Sequence, residues 1–126
     1  MPRTRLLKGI NVVSISVPDL DAAREFYSEV LGLGEPLYDL PDAGWIEFGL
    51  ASGQGNISVT AAEPGWRPIT GVTVVFDVED CHDAVQALRS RNVECDDPKV
   101  FPGYVTFANF YDPFGNRLQM CSPAPD

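Results

Sequence analysis

Val12-Val13-Ser14-Ile15-Ser16-Val17-Pro18-Asp19 returns 61 positions later as Thr73-Val74-Val75-Phe76-Asp77-Val78-Glu79-Asp80. Both copies alternate apolar and polar residues with the period of two expected of a half-buried strand. Both close on an acidic residue where a helix N-cap belongs. The offset is close to half of the 126-residue chain, so two similar units with a cleft between them are predicted.

Working outward from the first copy, Asp19 caps a helix whose apolar positions are Leu20, Ala23, Phe26, Tyr27, Val30 and Leu31. Gly32 stops it. Pro36 and Pro41-Asp42 mark loops. Residues 45–49 alternate as a strand, Ser52-Gly53-Gln54-Gly55 is a turn, and 56–61 is the hairpin partner. The breaker-rich Glu63-Pro64-Gly65-Trp66-Arg67-Pro68 links the halves. The second half predicts a strand over 72–78 and a helix capped by Asp80, with Cys81, Ala84, Val85 and Leu88 on its apolar face, ending near Asn92. A short strand is expected over 93–95, then a hairpin of 104–111 and 117–121 around Asp112-Pro113-Phe114-Gly115-Asn116. Phe107 is expected in the core, and the tail from Ser122 onward is expected to fray.

Composition excludes several partners. Eighteen acids against nine bases leave a net charge of −9, unsuited to a nucleic-acid backbone or an anionic membrane surface. The run over 10–17 is too short and polar to span a bilayer, and no leader-peptide cleavage pattern precedes it. Cys81, Cys95 and Cys121 form no CxxC pair, and the odd count fits a reducing, cytoplasmic setting with all three as small core hydrophobes.

The residues Val17-Pro18-Asp19-Leu20, Phe26-Tyr27, Leu31-Gly32-Leu33 and Trp45-Ile46-Glu47-Phe48 resemble the first module of the vicinal oxygen chelate superfamily. Phe76-Asp77-Val78-Glu79-Asp80 and Asp112-Pro113-Phe114-Gly115-Asn116 resemble its second module. That superfamily contains glyoxalase I, bleomycin-resistance proteins, extradiol dioxygenases and fosfomycin-resistance enzymes. The resemblance implies an α+β fold of two βαβββ modules (about 9–62 and 71–122, joined by a linker over 63–70). Together they would form a curved, cleft-bearing mixed sheet with the helices outside. It also implies a homodimer, often with each cleft shared between chains.

Metal-dependent members of that family hold a divalent ion on the concave face with His and Glu. The matching positions here are Val12, Ser58, Thr73 and Gln119. Valine has no donor atom, and hydroxyls and an amide are poor ligands for a first-row ion without a charged partner. The single histidine, His82, falls at the start of the second helix, away from that face. No metal and no other cofactor is therefore expected.

Strand alternation places Ser14 and Ser16 beside Val12, Asn56 and Thr60 beside Ser58, and Val75 and Asp77 beside Thr73. Cys121 and Arg117 lie beside Gln119. The expected ligand-binding set is Ser14, Ser16, Trp45, Ser58, Trp66, Thr73, Tyr104 and Gln119. Trp66 sits in a loop, where it stacks on a flat or cationic ligand or covers a dimer seam. Asp77 and Glu47 are the candidate catalytic carboxylates, Asp77 being alternatively a rim group paired with Arg117. The leading expectation is a metal-free binder of a small organic molecule, of the bleomycin-resistance type. The alternative is a lyase, isomerase or dioxygenase-type enzyme using a carboxylate base or a non-standard metal site.

Overall fold

The computed structural model describes residues 5–124. The chain forms two four-stranded sheets. The first contains β1 (Val12–Val17), β2 (Tyr38–Leu40), β3 (Trp45–Gly49) and β4 (Asn56–Ala61), in the order β1-β4-β3-β2. The second contains β5 (Val75–Asp77), β6 (Lys99–Phe101), β7 (Val105–Tyr111) and β8 (Arg117–Pro123), in the order β5-β8-β7-β6. In each sheet the first and last strands pair in parallel and the other pairs are antiparallel. One α-helix follows the first strand of each sheet, α1 (Leu20–Glu25) and α2 (Cys81–Ser90), as a parallel β-crossover-β connection requires. The βαβββ plan is thus present twice, in an α+β fold of two mixed sheets.

Both N-caps form as the sequence predicts. The Asp19 carboxylate accepts from Ala22 N–H at 3.0 Å and the Asp80 carboxylate from Asp83 N–H at 3.1 Å. The first helix then departs from expectation. After Glu25 it widens into a π-helical stretch, Phe26–Val30, closed by Leu31 N–H on the Phe26 carbonyl, before Gly32 ends it at a φ of 78°. Widening lets the adjacent rings of Phe26 and Tyr27 both enter the core, edge to face with centroids 5.3 Å apart.

One face of each sheet is core. Ile15, Val17, Ile46, Phe48, Ile57 and Val59 pack with Ala23, Phe26 and Tyr27; Ala108, Phe110, Leu118 and Met120 pack with Cys81 and Val85. Each such large side chain contributes roughly 1.5–3 kcal/mol by leaving water. The opposite faces carry the polar residues.

Several expected elements are corrected. The strands β2 and β6 carry no alternating pattern, since all six of their residues are exposed; the second lies over 99–101 and not 93–95, where Cys95 makes a single bridge to Phe110. The strand predicted over 72–78 is only three residues long, and Ser122-Pro123 belong to β8 and do not fray. Phe107 lies on the polar face, stacked on Phe101 at 5.5 Å. A 61-residue shift would set it on the core residue Ile46. The β7–β8 turn, however, is one residue shorter than the β3–β4 turn: Tyr111 pairs with Arg117, whereas Gly49 pairs with Asn56. A one-residue change in register exchanges the two faces of a strand.

Candidate functional site

The polar face of the first sheet is built around Glu47. Pairing sets Glu47 opposite Ser58, and Ser58 opposite Ser14, in one row across β3, β4 and β1. The hydroxyls of Ser14 and Ser58 bond at 2.7 Å. Glu47 is only 8% exposed, and both of its oxygens are occupied: Trp45 Nε1–H donates to Oε1 at 3.0 Å and the Asn56 amide donates to Oε2. The carboxylate is thereby fixed, and it fixes the Trp45 indole in turn.

Beside this row lies a recess of about 500 Å³ lined by Ser16, Trp45, Thr60, Glu63 and Trp66 together with the main chain at Gly44 and Gly65. Trp66 Nε1–H donates to the Ser16 carbonyl at 3.1 Å, which draws the linker over the end of β1. Gly44, at a φ of 66°, closes the floor where a Cβ would come within 3.0 Å of the Ala61 side chain.

The second sheet presents a different surface. Gln119 donates to Asn109 at 3.0 Å, while Asn109 and Tyr111 both donate to Asp96. Asp77 is exposed and accepts from the Cys121 thiol at 3.6 Å; Arg117 reaches Thr73 instead, at 3.1 Å. Burial, followed by the Asp77 hydrogen bond and charge, pushes the Cys121 thiol pKa up, which keeps it a weak nucleophile. His82 lies on the exposed first turn of α2, 4.0 Å from Asp80.

Of the sequence-predicted residues, the recess unites Ser16, Trp45 and Trp66, with Ser14, Ser58 and Glu47 in the adjoining row. Asp77 and Gln119 belong to the second sheet, Thr73 lies in the irregular stretch just before β5, and Tyr104 stands apart in the turn after β6, 85% exposed. Sequence reasoning missed Glu63, which reads as linker, and Asn109, whose face depends on the altered register. The donor set does not suit the family's metal: Val12, Ser58, Thr73 and Gln119 offer no charge. Among the described residues no three His, Cys, Asp or Glu side chains converge as an ion would need. A second, larger cavity of about 820 Å³ lies between the two modules and includes only Asp77 of the predicted set.

The sequence profile of the Glyoxalase/Bleomycin resistance protein/Dioxygenase superfamily matches residues 9–120. The chain belongs to that superfamily. A search of curated proteins finds no match. Among solved structures, an antibiotic-binding protein, TnmS3 from Streptomyces sp. CB03234, is 23% identical, with a TM-score of 0.80 over 96% of this chain and 100% of that one. A superfamily member from Sphaerobacter thermophilus is 22% identical, with a TM-score of 0.78 over 94% and 99%. A lactoylglutathione lyase from Agrobacterium tumefaciens is 20% identical, with a TM-score of 0.73 over 94% and 96%. At these identities the likeness is one of fold, and the superfamily's fold serves both binding proteins and enzymes. No helix among the described residues is long and apolar enough to cross a membrane.

Proposed function

We propose that this superfamily member binds a small, flat, aromatic or cationic organic molecule in the Trp45–Trp66 recess, without a metal, as a cytoplasmic homodimer. The observation that carries this reading is that both tryptophans of the chain line one recess together with the Glu63 carboxylate. Indole faces attract cations, a nearby carboxylate adds to that attraction, and the −9 charge draws cations in from a distance. The antibiotic-binding neighbour makes a binding role compatible with the architecture. The enzymatic alternative, with Asp77 or Glu47 as base, has less support. Glu47 already holds two donors, and Asp77 stands at the surface, where among the described residues its side chain accepts only from the Cys121 thiol.

Because the chain has only these two tryptophans, its intrinsic fluorescence reports on the recess directly. Titration with N-methylquinolinium should quench that emission saturably. Trp66→Ala should weaken binding about 3- to 30-fold, the equivalent of roughly 0.5–2 kcal/mol of cation–aromatic attraction. Added EDTA should leave the affinity unchanged. Loss of binding on chelation would return a metal to the site, and quenching indifferent to Trp66→Ala would remove the ligand from the recess. Sedimentation velocity at micromolar concentration tests the homodimer.

A further inference from the structure

The 61-residue repeat pairs every feature of the seam between the modules with a counterpart on the seam's other side. On one side the seam is sealed. Tyr27, fully buried at the end of the first helix, donates its hydroxyl to Asp112 Oδ2 at 2.8 Å. The other carboxylate oxygen, Oδ1, accepts from Phe114 N–H and Asn116 N–H. The Asn116 amide then donates to Asp112 Oδ2 and to the Ser16 carbonyl at the free edge of β1, and its oxygen accepts from Ile69 N–H. Helix, turn, strand edge and linker are closed by one buried polar knot.

The counterpart of Tyr27 is Leu88 on α2, that of Asn116 is Gly55, and that of Ser16 is Asp77. The turn position of Asp112 falls at Leu50–Ala51, where Leu50 C=O accepts from Gly53 N–H as Asp112 C=O accepts from Gly115 N–H. None of these side chains can rebuild the knot. In its place is the 820 Å³ cavity, and Leu88, Leu50, Ala51, Gly55 and Asp77 all line it. Close-packed interiors hold few voids larger than a water molecule, whereas ligand pockets run from about 300 to 1,000 Å³.

The geometry points to this inter-module cavity as a second ligand site, for a neutral or cationic polycyclic apolar molecule. The walls are mostly aliphatic, from both modules, with Ser52, Gln54 and Asn56 at the β3–β4 hairpin, and Phe76 and Phe110, with ring centroids 6.1 Å apart, supply an aromatic floor. Among the described residues no Lys or Arg lines the cavity, and Asp77 lies at its edge, which disfavours an anionic guest. One wall carries hydrogen-bonding groups. The ladder from β5 to β8 runs through Val74 C=O and Val78 N–H, so the main-chain groups of Val75 and Asp77 turn outward along the free edge, as those of Ser16 do on the sealed side. A polycyclic ligand with a polar group on one margin would fill the cavity and meet that edge.

The site is independent of the Trp45–Trp66 recess, and one experiment separates them. Nile red, a neutral dye whose emission shifts to the blue in apolar surroundings, is titrated into the 126-residue protein and three variants. Wild type should bind it saturably. Ala87→Phe, which projects a ring from α2 into the cavity, should weaken it at least tenfold. The double variant Leu88→Tyr with Ala51→Asp, which restores the groups found on the sealed side, should do the same. Trp66→Ala should leave dye binding unchanged. Equal binding by wild type and both filled variants overturns the inference, as does no binding by wild type. Filled variants that convert a dimer to monomers in sedimentation would make the cavity an interface between copies, and would also overturn it.

Discussion

The two modules share a fold but place their polar chemistry in different regions. The first concentrates it on its sheet face, in the Ser14–Ser58 pair and the Trp45–Glu47–Asn56 clamp, while its β3–β4 turn has only small or flexible side chains. The second concentrates it in its β7–β8 turn, where Asp112 and Asn116 are buried, and leaves its sheet face with an amide pair and the Phe101–Phe107 stack. Duplicated units need only one rigid seam to hold together. With the seam fixed at one end by the second module's turn, the first module's turn and face are free of that task.

The most severe test of this division is Asp112→Ala. Its carboxylate accepts four hydrogen bonds, from Tyr27 O–H, Phe114 N–H, Asn116 N–H and the Asn116 amide. Removing it strands several buried donors, at a cost of about 3–5 kcal/mol in urea unfolding. Ala51→Ser, at the counterpart position, should change stability by less than about 0.5 kcal/mol, as surface changes commonly do. Equal losses at the two turns would dissolve the distinction between a sealed seam and an open one.

Next in size is Tyr27→Phe, expected to cost about 1–2 kcal/mol at neutral pH through the lost hydrogen bond to a carboxylate. It also has a pH signature. Burial first, and then the charge and hydrogen bond of Asp112, raise the Tyr27 phenol far above its ordinary value of 10.0. Folding therefore favours the protonated phenol. That stability is present in full below pH 10, where the unfolded chain's tyrosine is also protonated, and is lost as the pH rises beyond it. Wild type should weaken steeply above that pH and Tyr27→Phe less so. Parallel alkaline slopes in urea titrations at pH 8 to 11 would show that the phenol does not titrate with unfolding.

Much of this fold was legible in the repeat at residues 12–19 and 73–80, because caps and alternation are local signals that the second copy corroborates. The strands β2 and β6 were not. Tyr38–Leu40 and Lys99–Phe101 are short, exposed edges that exist through pairing with β3 and β7, and so lack a pattern of their own. Phe107 was misplaced because face assignment depends on turn length, and the two hairpins differ by one residue. The recess was half legible: alternation and a loop tryptophan pointed to Ser16, Trp45 and Trp66, but nothing marked Glu63. A cleft between the modules was expected from the repeat, but the lining of the inter-module cavity was not legible, since its walls read as ordinary core and its opening is created by side chains that Gly55 and Ala51 lack.

The smallest effect concerns the helix caps, the feature in which the modules are most alike. Asp19 and Asp80 accept from the third helical N–H at nearly the same distance, and both are exposed. Replacing either by alanine should cost about 1 kcal/mol, and replacing either by asparagine almost nothing, since the amide oxygen caps equally well. The surroundings nonetheless differ. Glu79 and Asp83 flank Asp80, whereas Arg24, bonded to Asp21 and Asp39, supplies a cation near the first helix. Like-charge repulsion at Asp80 would make Asp80→Asn slightly stabilising at low salt and neutral at high salt, with no such trend at Asp19. Paired urea melts at 10 mM and 500 mM NaCl would read this difference of a few tenths of a kcal/mol. Identical salt responses would mean that the acidic character of the second module lies too far from its cap to matter.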